Sequence, residues 1–278
     1  MSEIVYLNGQ YLPQENAILS PNDRGFIFAD GIYEVTKYYK GKPFRLDDHL
    51  KRLERSLHEI GIFGIDVNNL KEVFSNLLEK NDLLKEHGGV YLQITRGVHK
   101  RVHHFPANIE PTVYGTAFPM PSNIENLEKG IKVITHDDIR WLRCDIKSVS
   151  LLANTMIYNK AVDSGAGECL LFRNGYLTEA THSSVLAVKN GKVITHPLSN
   201  LILPGITRKV ILELCVDNNL PVEERPLSEQ ELYEVDELMI AGTGSEITPV
   251  VQVNDKPIGN KKPGDITRLL QTNFFKLT

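Results

Sequence analysis

Asp138-Ile139-Arg140-Trp141-Leu142-Arg143-Cys144-Asp145-Ile146-Lys147-Ser148 is the stretch whose reading decides the fold. It holds the only Trp of the chain together with three cations, a Cys and acidic residues at both ends. Ahead of it, Ile131, Val133 and Thr135 form an alternating run, which predicts a strand. Behind it, Leu152, Met156 and Ala161 recur at helical spacing and predict a helix over Val149 to Asp163. A charged segment between strand and helix is where α/β folds expose their chemistry, because loop ends present side chains at the sheet edge. The same features also describe a solvated connector with an unremarkable lysine.

Length and composition narrow the class. The 278 residues suffice for a large core and suit one large or two medium domains. A hydrophobic share of 41% with 24% charged residues is ordinary for a soluble globular enzyme. The net charge of -4, without a long cationic block, makes nucleic acid and anionic membranes poor partners. No apolar run approaches the roughly 18 residues that cross a bilayer. The start, Met-Ser-Glu-Ile, lacks a basic region followed by an apolar one, so a cytoplasmic protein is expected. Cys144, Cys169 and Cys215 have no paired spacing, which argues against a disulfide framework and a zinc site; no metal is expected.

Working outward, Val5 to Leu12 reads as a hairpin turning at Asn8-Gly9, a pair that tolerates positive φ twice. Asp30 to Tyr39 alternates and is rich in β formers, so it predicts a strand ending at Lys40-Gly41. Leu46, Leu50, Leu53, Leu57 and Ile60 form the apolar stripe of a helix whose N-terminus Asp47 or Asp48 can serve. His49, Arg52 and Ser56 share one flank of that stripe, a pattern equally at home on a solvated face. A second helix is expected over Asn68 to Leu84 and a strand over Gly89 to Thr95. Arg101-Val102-His103-His104-Phe105-Pro106 follows as a Pro-bounded loop. Phe118 to Asn123, with two prolines, is the best linker, giving domains of residues 1–117 and 124–278 joined by 118–123.

Beyond the linker, Asn174-Gly175 and Asn190-Gly191 mark two more hairpins. Between them, Glu179 sits in a strand pattern that disfavours Glu, either on an exposed edge or for a chemical reason. Leu203-Pro204-Gly205-Ile206-Thr207-Arg208 leads into an apolar helix containing Val210, Ile211 and Leu214. The N–H groups of Ile206 and Thr207 then face outward at the positive end of a helix dipole, a ready phosphate site. In the stretch Gly242 to Pro249, small residues suit a loop passing close to a ligand. Leu232, Leu238 and Met239 read as core.

With these residues in hand, the Asp138 to Ser148 segment resembles the lysine-bearing segment of D-amino-acid aminotransferases. These are fold-type IV enzymes dependent on pyridoxal phosphate (PLP). The likeness extends from Leu7 to Val250. It implies a two-domain α+β / α/β fold, with a small N-terminal domain and a larger C-terminal domain that binds PLP. It implies that Lys147 forms the Schiff base and that Glu179 pairs with the pyridine nitrogen. Arg52, Ile206, Thr207 and Thr243 would hold the phosphate, and Tyr33 would face the substrate. The Arg101-x-His103 stretch matches the family's trap for the substrate α-carboxylate, reaching in from the neighbouring subunit of a homodimer. Departures from the family pattern are Ser184 for Asn, Pro204 for Lys, and Gly242 and Gly244 for Ser or Thr.

The resemblance implies transfer of the amino group of D-amino acids, such as D-Ala, D-Glu and D-Asp, to the 2-oxo acids 2-oxoglutarate and pyruvate. The competing expectations are a fold-type IV enzyme for branched L-amino acids or R-amines, and a PLP-binding protein without catalysis.

Overall fold

The structure, a computed structural model, describes residues 3–278; Met1 and Ser2, within the stretch read for a targeting signal, lie outside the described residues. The chain forms two compact units. The first runs as far as Pro121 and also takes in Ile146–Leu151; the second comprises Ser122–Asp145 and Leu152–Thr278.

In the first unit β1 (Ile4–Leu7) and β2 (Gln10–Pro13) form the expected hairpin. Asn8 and Gly9 take φ of 47° and 92°, the double positive φ of a type I′ turn. A short helix α1 (Arg24–Phe28) precedes β3 (Gly31–Tyr39) and β4 (Lys42–Pro43). Then follow α2 (Leu46–Glu59), α3 (Leu70–Lys80), β5 (His87–Thr95) and β6 (Thr112–Pro119). The strands pair antiparallel in the order β2-β1-β6-β5-β3-β4. Alternation along β3 sorts its residues: Ile32 and Tyr38 join the core with Leu50, Leu53 and Leu57 of α2 and Phe74 and Leu77 of α3. Each such buried side chain contributes about 1.5–3 kcal/mol.

Asp47 and Asp48 lie in the first turn of α2, after Arg45 in a left-handed conformation, and their charges suit the positive end of the dipole. Two expectations shift here. α3 stops at Lys80, short of the expected Leu84, because Asp82 turns the chain at φ 58°. β6 runs to Pro119, so the stretch read as linker opens as strand.

The second unit opens with α4 (Ile124–Lys129), β7 (Ile131–Asp137) and α5 (Leu152–Asp163). Four strands follow: β8 (Glu168–Arg173), β9 (Tyr176–Ala180), β10 (Ser184–Lys189) and β11 (Lys192–Thr195). Then come α6 (Ile206–Asp217), β12 (Val222–Glu224), β13 (Leu227–Ser228) and α7 (Glu229–Leu232). β14 (Glu237–Gly242), β15 (Glu246–Val253), β16 (Lys256–Pro257) and α8 (Asp265–Phe275) complete it. The sheet order is β12-β11-β10-β14-β15-β7-β8-β9-β13, with β16 on β15. β7 runs parallel to both β8 and β15, while the hairpins at Asn174-Gly175 and Asn190-Gly191 are antiparallel. Leu232, Leu238 and Met239 are buried, as are Val210, Ile211 and Leu214 of α6.

The face expected of α5 is corrected. Leu152 and Met156 are 74% and 55% exposed, and Ile157 and Ala161 are the residues that pack, with Cys169 and Leu171 of β8. The helix also starts three residues later than its spacing predicts, for a reason that concerns Lys147. All three cysteines are free and buried.

Candidate active site

Lys147 belongs to the first unit by its backbone. Its carbonyl accepts the Tyr33 N–H at 3.0 Å, and the Val149 N–H donates to Gly31 at 3.1 Å. Ser148 makes a bridge to Ile32, and Ile146 enters the core. These bonds hold residues 146–149 extended against the start of β3, which is why α5 begins at Leu152. The half-buried Lys147 places its Nζ 4.2 Å from the centre of the Tyr33 ring, and Tyr33 stacks on Tyr91 at 5.5 Å.

The opposite face of β3 carries Glu34. Its carboxylate accepts from Nε and Nη2 of Arg52 at 2.7 and 2.8 Å and meets Nδ1 of His49 at 2.8 Å, all three side chains being buried. The flank of α2 is therefore not solvated. Burial alone would raise the Glu34 carboxyl, but Arg52 and His49 more than offset it and hold it at about 2. Burial pushes His49 down, against the pull of Glu34. Two nitrogens of Arg52 are thus committed to Glu34, which fixes the direction of the guanidinium; the sequence reading did not single out Glu34.

Arg101 and His103 are exposed on the loop after β5, and both lie on one ring, with Phe28 5.2 Å from the Arg101 guanidinium and 5.5 Å from the His103 imidazole. Buried Arg24 pins the loop by donating to the Val102 carbonyl at 2.6 Å and to Asp30 at 2.7 Å. Arg96 also binds Asp30, and its guanidinium lies 3.5 Å from the centre of the Phe105 ring. Arg24, Asp30 and Arg96 were missed in the sequence, since an Arg with a distant carboxylate leaves no local pattern.

In the second unit, Glu179 is buried in β9 rather than on an exposed edge. One carboxylate oxygen accepts from Nη1 of Arg140 and the other from the Leu203 N–H at 3.0 Å. Arg140 is itself gripped by Asp138, which Thr178 and Arg173 also contact. Burial raises the Glu179 carboxyl above its ordinary value, and Arg140 opposes that without cancelling it. Arg140 stands in the quoted stretch, yet no role was assigned to it there.

Gly205 precedes α6 in an extended conformation, and no side chain caps this helix. A Cβ on Gly205 would meet the Ser184 hydroxyl at 2.5 Å, so any larger residue here would have to displace that hydroxyl for the chain to enter α6 so close to β10. Thr207 is buried in the first turn. Thr243 lies half-buried in the turn between β14 and β15, whose strand resumes at Glu246, so the small-residue loop is shorter than expected. Beside it the hydroxyls of Ser183 and Ser245 are 3.2 Å apart.

Comparison with known proteins names the class. Residues 31–253 match the family described as amino-transferase class IV. The D-alanine aminotransferase of Staphylococcus haemolyticus is 41% identical over 274 residues, covering 98% of this chain and 96% of that protein. The D-alanine aminotransferase of Bacillus licheniformis is 40% identical over 96% of this chain and 94% of its own. The chain belongs to the class IV aminotransferase family. Among solved structures, the branched-chain amino acid aminotransferase of Escherichia coli superposes with a TM-score of 0.91 at 27% identity, covering 100% of this chain and 95% of that one. That of Thermoproteus uzoniensis reaches 0.89 at 23% identity, over 99% and 94%, and speaks for the fold alone.

Proposed function

We propose that the chain is a PLP-dependent aminotransferase that moves the amino group of D-amino acids, D-Ala, D-Glu and D-Asp among them, to 2-oxo acids such as pyruvate and 2-oxoglutarate. Fold alone does not choose between D- and branched L-substrates. The observation that carries the choice is the pinned loop that sets Arg101 and His103 on one ring, since two donors aimed alike can grip one carboxylate. The near-full-length likeness to two D-alanine aminotransferases supports the same reading.

The residues present fit PLP. A half-buried lysine is fixed at its backbone, a buried carboxylate is held by an arginine, and an uncapped helix N-terminus suits a phosphate. Lys147 would carry the cofactor covalently, and Glu179 would hold the proton on its ring nitrogen. Ile206, Thr207, Thr243 and Arg52 would bind the phosphate. When bound, PLP supplies an electron sink for the pair left by the Cα–H bond. Lys147 would move the proton taken from the substrate Cα, acting as base and then acid. A Glu179 carboxyl raised by burial is the stronger acceptor for the ring N–H. Tyr33, Arg101 and His103 orient the α-carboxylate, and that orientation decides which face of Cα meets the lysine. Arg101 and His103 act across a homodimer, each loop serving the neighbouring subunit. The setting is the cytoplasm; among the described residues no helix is long and apolar enough to cross a membrane.

The test is the half-reaction of the PLP-loaded protein with a panel of D-amino acids, L-amino acids and R-amines. D-Ala and D-Glu should bleach the cofactor absorbance, and a 2-oxo acid should restore it. A panel in which only branched L-amino acids or R-amines do so would overturn the substrate assignment, and no bleaching at all would overturn the activity.

A further inference from the structure

The loop between β9 and β10 carries a histidine that the transfer step does not use. His182 lies three residues beyond Glu179, next to Ser183 and its Ser245 contact. Its Nδ1 sits 2.9 Å from Oε2 of Glu168, a carboxylate with no exposed surface, and 3.1 Å from the Thr181 hydroxyl. The other Glu168 oxygen is filled by the Thr181 hydroxyl and by the Cys169 and Thr181 N–H groups, at 2.8 and 3.2 Å for the two amides. Among the described residues Oε2 accepts no hydrogen bond, so the Nδ1 contact is chiefly electrostatic.

Two lone pairs at such a distance would repel, so Nδ1 carries a proton, and Nε2 is a second donor when the ring is the imidazolium. The ring is held from a second side by Tyr158 of α5, edge-on at 4.9 Å and 89°. Asn154, one turn earlier on α5, donates to the Thr181 carbonyl at 2.6 Å, and the Ala180 N–H closes the loop onto Ser183. An imidazole that served only to neutralise Glu168 would be buried with it. Instead the side chain is 55% exposed with Nδ1 turned inward, so the outward edge bears Nε2.

We propose that His182, held by Glu168 and Thr181, is a specificity-determining residue that reads the distal carboxylate of a dicarboxylic amino donor or 2-oxo acid. The proposal rests on the transaminase reading above. There the α-carboxylate belongs to Arg101 and His103 and the phosphate to α6, so a further cationic donor favours a substrate with a second anion. Burial alone would raise the Glu168 carboxyl, but the imidazole, the Thr181 hydroxyl and the Cys169 N–H bring it below its ordinary value, as expected of a carboxylate that keeps its charge for His182. Glu168 is then a positioning residue and Nε2 the contacting group.

The experiment measures kcat/KM for D-Glu and D-Ala with the PLP-loaded wild type, His182→Gln, His182→Arg and Glu168→Gln. The ratio of D-Glu to D-Ala should fall about three- to tenfold in His182→Gln through a higher KM for D-Glu. It should recover in His182→Arg, which keeps a cationic donor, and fall in Glu168→Gln with kcat preserved. An unchanged ratio in His182→Gln, with wild-type transamination intact, would overturn the role of His182 and leave the function standing. Equal loss for both substrates together with weaker PLP retention would put the imidazole on the phosphate and also overturn it. A wild type inactive toward every amino acid would remove the reading on which both stand.

Discussion

Lys147 and Tyr33 are joined twice, through the Tyr33 N–H on the Lys147 carbonyl at 3.0 Å and through the Lys147 ammonium 4.2 Å from the Tyr33 ring centre. The backbone bond and the ring contact both survive Tyr33→Phe, which removes the hydroxyl alone. Tyr33→Phe should therefore keep PLP fixable by borohydride and lose a few-fold in D-Ala efficiency, the scale of one hydrogen bond of about 1 kcal/mol. Lys147→Ala should lack the reducible linkage altogether. Mass spectrometry after reduction reads both; cofactor still fixed to the Lys147→Ala protein would refute the assignment.

Glu179→Gln should retain bound PLP and lose transamination rate by several powers of ten, as expected when a catalytic charge is removed. Stopped-flow half-reactions give the rate, and near-normal turnover would take Glu179 out of the mechanism.

Arg140→Met removes the partner of a buried carboxylate, and breaking such a pair costs about 3–5 kcal/mol. Urea unfolding should show a midpoint well below that of the wild type. Arg140→Lys should fall between them, because an ammonium cannot serve Asp138 and Glu179 together as a guanidinium does. A midpoint unmoved in Arg140→Met would mean that Glu179 is satisfied by other groups.

Arg101→Ala should lower the efficiency with D-Ala by about one to two powers of ten, while an R-amine, having no carboxylate, should be little affected. Mixing Arg101→Ala with Lys147→Ala protomers should regenerate one competent site per heterodimer if the loop serves its neighbour. Equal losses for D-Ala and R-amines would make Arg101 a residue of the fold.

Acid should weaken the first unit through Glu34. Its folded value of about 2 lies below the ordinary 4.5, so the stabilisation is complete above 4.5 and is lost as pH falls from there toward 2. His49, pushed down chiefly by burial, acts in the same direction at higher pH. Thermal melts of wild type and Glu34→Gln should differ most near neutrality and converge toward pH 2. A constant gap would show that Glu34 is not ionised in the folded protein.

Much of this was legible where the signal is local. The three Asn-Gly turns, β3 and the core leucines of α2 follow from φ preference and periodicity, and each stands where its residues predict. The resemblance led to Lys147 and Glu179 but not to what fixes them. Arg140 meets Glu179 across 39 positions and Arg24 meets Val102 across 78, and pairing over such spans has no sequence period. Helix α5 misled in a different way: its apolar residues occupy more than one face, and only the neighbouring β8 decides that Ile157 and Ala161 pack while Met156 does not.

The route of the chain has a consequence for anyone who would take the enzyme apart. It leaves the first unit after Pro121, returns for Ile146–Leu151 and leaves again, so the lysine is delivered by a brief visit between two stretches of the second unit. Cutting at the evident boundary would yield an N-terminal fragment with the tyrosine and no lysine, its β3 start stripped of the backbone partners at Lys147 and Val149. Exchange of whole domains among relatives thus has to carry three crossovers in register. Within this architecture, new specificity is more readily reached by altering loops, such as those bearing Arg101 and His182, than by trading units.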